Sequence, residues 1–122
     1  PVHCVAGTRG AALDEAFSRE VKDEANRPCG KNLFLKGQDD VVEEYSAYNG
    51  RNDAGERLGD IVSSHVYVGG IASEYCVRET VLALLEAGHT VTVLTEGLAY
   101  VSKEDHEKNL ADLRERGVSF LG

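Results

Sequence analysis

An α/β fold built on a mainly parallel sheet covered by helices is predicted by three features of this sequence. Short apolar, β-rich runs alternate with amphipathic helical runs over the second half of the chain, the order expected of βαβ units. Glycines punctuate that alternation at Gly69-Gly70 and at Gly88, where strand should pass to turn and helix should stop. Finally, 42% apolar and 28% charged residues in a chain of 122 suit one modest domain with a single core.

Taken in order, residues 11–25 place Leu13, Ala16, Phe17 and Val21 at helical spacing opposite charged residues, which predicts an amphipathic helix. "NRPCGKN" breaks it, and "LFLK" at 33–36 is a short buried-strand candidate that delivers Lys36 to its carboxyl end. From Gln38 to Gly59 the chain is polar, with a Tyr45-Ser46-Ala47-Tyr48 island. Loop is expected there, passing into a short helix near 56–64. "HVYVGG" is the second strand. Val77, Val81, Leu84, Leu85 and Ala87 then mark a helix over 74–87 that stops at Gly88. "TVTVLT" at 90–95 is the third strand, 103–116 a charged amphipathic helix showing Leu110 and Leu113, and "VSFL" at 118–121 the fourth strand.

Charge and cysteine usage exclude several function classes. The net charge of −8, with no Lys/Arg block to offset it, disfavours nucleic acid and anionic membranes as partners and points to a small or uncharged one. Three cysteines, Cys4, Cys29 and Cys76, make no CxxC pair, so a reduced compartment, the cytoplasm, is expected. No apolar run approaches the roughly 20 residues that span a bilayer, and the first residues lack signal-peptide order.

In sheets of this kind, sites gather beyond the carboxyl ends of the strands. Lys36, the Gly69-Gly70-Ile71-Ala72 turn and Cys76 should share that edge. A thiol in the first turn of a helix faces unpaired N–H groups and the positive end of the dipole, which favour a thiolate, and a nearby ammonium would act the same way. Placement alone leaves two readings open: a nucleophile, or a small buried hydrophobe. A cysteine phosphatase loop is excluded, because the Arg that would grip phosphate six residues on is replaced by Leu82.

"PVHCVAGTRGAAL" at 1–13, "FLKGQDDVVEEYSAYNGR" at 34–51 and "VGGIASEYCVRETVLALLEAGHTVTVLTEG" at 68–97 resemble, in order, three motifs of the nicotinamidase/pyrazinamidase group of isochorismatase-like cysteine hydrolases. The resemblance implies a three-layer α/β/α fold. It assigns the nucleophile to Cys76, the active-site lysine to Lys36, and the oxyanion hole to the backbone N–H groups of Ala72 and Cys76 beside a cis Ile71-Ala72 peptide. Tyr45 and Tyr75 would line the pocket for the aromatic ring. His3 resembles the last ligand of a divalent metal, zinc first and iron or manganese after it, in a site that also uses an aspartate and two histidines. His65, His89 and His106 read as structural or solvent-exposed, and Cys4 and Cys29 as packing thiols.

In that family the general-base aspartate and the other metal ligands lie upstream of the P-x-H-C motif, where this chain begins. Asp39, Asp40 and Asp53 do not match the base. Residues 1–122 are accordingly read as the carboxyl-terminal portion of one isochorismatase-like hydrolase domain, its sheet incomplete in this chain; the opening Pro1 and the absence of Met agree. An upstream segment, and a homo-oligomer, are the macromolecular partners expected. The implied reaction is hydrolysis of nicotinamide to nicotinate and ammonia through a thioester, in NAD salvage. Two alternatives stand beside it: another amidohydrolase of the superfamily acting on a carbamoyl or ureido substrate, and a non-catalytic fragment or subunit on the same fold.

Overall fold

Apolar periodicity becomes a long element only where a second apolar surface is available to receive it. A computed structural model of the chain describes residues 7–38 and 44–122. In its first part the expected helix over 11–25 is reduced to a single turn, α1 (Ala16–Arg19), flanked by 3₁₀ turns at Arg9–Ala11 and Glu24–Asn26. Leu13 and Phe17 are 48% and 54% exposed, so the stripe buries nothing that would offset the cost of a longer helix. Side chains organise these turns instead: Asp14 accepts from Ala16 N–H at 2.9 Å and Asp23 from Ala25 N–H at 3.0 Å.

The strand expected at 33–36 is also absent. Leu35 makes only an isolated antiparallel bridge to Arg51, with N–H···O distances of 2.9 and 3.0 Å. Just upstream, Asn32 and Leu33 N–H close a turn on the Cys29 carbonyl, and just downstream Gly37 turns the chain at φ 67°, which leaves no room for a ladder. The short helix expected near 56–64 is present as α2 (Leu58–Ile61).

From residue 65 onward the expected alternation holds. β1 (His65–Gly70), α3 (Arg78–Glu86), β2 (Thr90–Leu98), α4 (Lys103–Glu115) and β3 (Ser119–Leu121) follow in order, with a π-helical turn at Ser73–Val77 leading into α3. Both strand pairings are parallel, in the order β1-β2-β3, with Val66 opposite Val91, Val68 opposite Val93, and Val93 opposite Phe120. Those side chains share one face of the sheet, because successive residues of a strand point to opposite sides. On that face Val91 and Val93 pack with Val77, Val81 and Leu84 of the π-turn and α3 and with Leu113 and Val118, and Val66, Val68 and Phe120 rest against them. The opposite face carries His65, which hydrogen-bonds the hydroxyls of Thr90 and Thr92, and the exposed Tyr67 and Leu121.

Both long helices end the same way. His89 N–H reaches the Leu84 carbonyl and Gly88 N–H the Leu85 carbonyl; Val118 and Gly117 repeat the pattern on Leu113 and Arg114. These paired bonds satisfy carbonyls that a helix end leaves open, and the second set brings Val118 against Leu113 in the core. Each helix is thus stopped where the next strand must begin.

Candidate active site

The junction between β1 and α3 carries Cys76 within a turn fixed by its neighbours. β1 ends at Gly70, the Ile71–Ala72 peptide is cis, and the chain enters the π-turn at Ser73. The Ala72 carbonyl accepts from Tyr75 and Val77 N–H at 3.0 and 3.1 Å, while Ser73 N–H donates to Ala99 O at 2.9 Å. Ala99 N–H in turn donates to Gly70 O at 3.2 Å, so the end of β2 and the segment beyond it pin the turn to the sheet.

Beneath the turn, α4 supplies a polar floor. Ser73 is fully buried and Asn109 is 4% exposed. The Asn109 amide donates to Ser73 O at 2.8 Å and to its hydroxyl at 3.2 Å, and the same hydroxyl meets His106 Nδ1 at 2.6 Å. His106 is stacked on Tyr100 at 4.6 Å between ring centres. Arg78 donates to Asn109 Oδ1 at 2.9 Å and pairs with Asp112 at 2.8 Å, completing a network in which buried polar atoms have partners. Glu74 holds the other side: its carboxylate accepts from Ser102 N–H at 2.7 Å and Val101 N–H at 3.1 Å. Burial acts to raise its pKa, yet the N–H groups of Ser102, Glu74 and Val101, with nearby His106, outweigh burial and hold the carboxyl below its ordinary range.

Cys76 sits half-buried above this floor. Lys36 Nζ lies 3.5 Å from its sulfur and also donates to the Glu44 carbonyl at 3.0 Å. The contact sets an ammonium donor against the thiol sulfur. Tyr45 and Tyr75, each 42% exposed, have ring centres 5.9 Å apart at a tilt of 44°. Tyr45 belongs to a loop fixed by Tyr48, whose ring packs so tightly on Gly59 that a Cβ there would lie 2.3 Å from it. The structure therefore brings Lys36, Tyr45, Tyr75 and Cys76 into contact in two pairs at the carboxyl end of β1, with half-buried Ala72 just before the turn.

Other candidate residues are placed differently. His3, Cys4, Asp39 and Asp40 lie outside the described residues. Asp53 is exposed in a turn, its N–H bonded to Gly30 O. Cys29 is exposed instead of packed, because the turn it closes runs over the surface. His89 bonds the Ser63 carbonyl through Nδ1 at 2.8 Å, a structural tie. Sequence reasoning did not single out Ser73, Asn109 or Thr80. Asn109 occupies the inner face of α4 one turn before Leu113, where an apolar stripe would place a hydrophobe, and that polar interruption was the available signal. Thr80 donates from Oγ1 to Cys76 O at 2.7 Å and accepts from Ala47 N–H at 2.8 Å; nothing in the pattern marks it.

The described residues bring together no group of three or more His, Cys, Asp or Glu side chains able to hold a metal ion. As they stand, they do not form the site that the resemblance implies around His3.

Comparisons with known proteins agree with this fold. The isochorismatase domain family matches residues 1–121. The nicotinamidase of Escherichia coli is 34% identical over 103 residues, covering 80% of this chain and 44% of that protein. The crystal structure of a Pyrococcus horikoshii pyrazinamidase in complex with zinc superposes with a TM-score of 0.74 at 32% identity, over 99% of this chain and 62% of that one. The yeast nicotinamidase structure gives a TM-score of 0.78 at 27% identity, over 99% of this chain and 57% of that one. This chain thus spans about half the length of the curated relatives it matches. A family match from end to end, on a parallel sheet that presents its cysteine at the expected strand end, shows that the chain belongs to the isochorismatase domain family.

Proposed function

We propose that this chain carries the nucleophile half of a nicotinamidase-like amidohydrolase, which converts nicotinamide to nicotinate and ammonia in NAD salvage. The observation that carries the reading is the 3.5 Å contact between Lys36 Nζ and Cys76 Sγ at the carboxyl end of β1. Membership of the family and likeness to nicotinamidases support it.

In the proposed reaction the sulfur of Cys76, its proton taken by an aspartate supplied from upstream of this chain, attacks the carboxamide carbon. A tetrahedral oxyanion forms, and the N–H groups of Ala72 and Cys76 stabilise it. The aspartate passes that proton to the amide nitrogen, the C–N bond breaks, and ammonia leaves, giving a thioester to Cys76. Water then adds to the thioester, the C–S bond breaks, and nicotinate and the thiol are released. Lys36 holds the sulfur and the developing charge in register, and Tyr45 and Tyr75 form the wall against which the ring lies. A divalent metal, zinc first, is assigned with His3 as one ligand, in keeping with the zinc-bound pyrazinamidase; one imidazole does not make a site, and no step here is routed through an ion. The reaction is assigned to the cytoplasm; among the described residues no helix is long and apolar enough to cross a membrane.

The test is Cys76→Ala in the intact protein. Release of ammonia from nicotinamide should fall to background while the circular dichroism spectrum is unchanged; retained turnover would sink the assignment. Iodoacetamide should label Cys76 ahead of Cys4 and Cys29, although Cys29 is more open to solvent. Equal labelling would favour a non-catalytic role.

A further inference from the structure

We propose that Thr80 is a positioning residue that sets the spacing between the Cys76 sulfur and the aromatic wall of the Tyr45–Tyr48 segment, and so tunes the site to planar aromatic carboxamides. The inference rests on the reading of Cys76 as nucleophile.

A threonine hydroxyl has one proton to give and lone pairs to receive. Thr80 follows Cys76 by one helical turn and gives its proton back to the Cys76 carbonyl at 2.7 Å. Its lone pair is then turned outward, and Ala47 N–H donates to it at 2.8 Å. One oxygen atom therefore ties the backbone of the nucleophile to the backbone of the loop across from it. A second tie runs from Cys76 Sγ through Lys36 Nζ to the Glu44 carbonyl, over 3.5 and 3.0 Å. Tyr45 stands between the two tethered positions, Glu44 and Ala47. Its ring faces that of Tyr75, the residue immediately before Cys76, across 5.9 Å. The loop is fixed from behind as well, by the Tyr48 ring on Gly59 and by Gly59 N–H on the Tyr48 carbonyl. With both ends of the Glu44–Ala47 stretch held, the gap available to a flat ring is set by fixed contacts, and loss of the Thr80 hydroxyl frees one of them.

The effect should appear in binding of the ring more than in reactivity of the sulfur. In the intact protein, Thr80→Val keeps the branched shape and removes the hydroxyl, while Thr80→Ser keeps the hydroxyl. KM for nicotinamide should rise about five- to tenfold in Thr80→Val, the factor that one net hydrogen bond supplies. The same variant should keep kcat within about twofold, and Thr80→Ser should retain the parent KM. Alkylation of Cys76 by iodoacetamide, a probe too small to use the wall, should keep its parent rate in both. Thr80→Ala, which loses the hydroxyl without adding a methyl in its place, is read in the same way if Thr80→Val does not fold. An unchanged KM in Thr80→Val or Thr80→Ala, a fall in kcat at constant KM, or a raised KM in Thr80→Ser would overturn the assignment of Thr80. Failure of the underlying reading would appear elsewhere, as ammonia release that survives Cys76→Ala.

Discussion

Residues 11–25 and residues 74–87 carry the same kind of helical apolar spacing, yet the first segment gives the four residues of α1 and the second gives a π-turn and α3 without a break. The difference lies in what each stripe meets. Val81 and Leu84 close on Val91 and Val93 of β2, whereas Leu13 and Phe17 remain about half exposed. Every hydrophobe fully in the described core comes from residues 77–118. The region before β1 sets only partly buried Tyr48 and Val62 against that core and relies elsewhere on polar junctions. Asn52, 8% exposed, donates to Lys31 O and Glu56 Oε1 and accepts from Ala54 and Glu56 N–H. Spacing proposes a helix, and a surface to bury against decides whether it forms.

Leu113→Ala should break the apolar half with the largest effect. The side chain is fully buried between α3, β2 and Val118, so its loss should cost about 2–5 kcal/mol in denaturant unfolding. Leu13→Ala, at an equally apolar position of the other stripe, should move the midpoint by less than about 0.5 kcal/mol. Comparable losses at the two positions would mean that the first stripe is packed after all.

Asn52→Ala should sharpen the contrast from the polar side. Its removal strands the Lys31 carbonyl and two backbone N–H groups, at a cost of about 1–3 kcal/mol. The loss should stay local: amide exchange should quicken at Ala54 and Glu56 while Val81, Leu84 and Val93 keep their protection. Faster exchange at all five would show that the two regions unfold as one unit.

The elements legible in the sequence are those in which local pattern and tertiary environment agree. The alternation of Val91, Val93 and Thr92, the stripe through Val81 and Leu84, the stop at Gly88 and the charged amphipathic run over 103–116 lead to the observed β2, α3 and α4. Its place after a strand and a glycine turn singled out Cys76 but left nucleophile and buried hydrophobe both open, and only the family resemblance chose between them. What could not be read depended on atoms distant in the chain. The π-turn is stabilised by a Ser73 carbonyl that receives both Arg78 N–H and the Asn109 amide, and 36 residues separate that second pair. "LFLK" reads as a strand from its side chains, yet only Arg51 offers it a partner among the described residues. Lys36 still reaches Cys76, because its long side chain needs a suitable loop position and not a strand.

Glu74 is the point at which the apolar half itself relies on polar contacts, and its expected effect is the smallest. Its carboxylate closes the first turn of the π-helix onto Val101 and Ser102 N–H, and Ser102 also caps α4 by accepting from Asp105 N–H at 3.3 Å. Folding holds the Glu74 pKa below its ordinary value of 4.5, so the folded state favours the charged form. The sign follows by linkage. The contribution is complete above the ordinary value, declines as pH falls through the window between the ordinary and the folded pKa, and is gone below the folded one. Glu74→Gln keeps the shape but cannot titrate. In melting curves taken downward from pH 6, the parent protein should lose more stability than Glu74→Gln below about pH 4.5, the two slopes being equal above it. Asp112 is held low as well, by hydrogen bonds from Arg116 and Arg78, and its titration is common to both proteins. Subtracting one curve from the other therefore isolates Glu74. Identical acid slopes would show that the bonds to Val101 and Ser102 do not distinguish the charged carboxylate from a neutral amide.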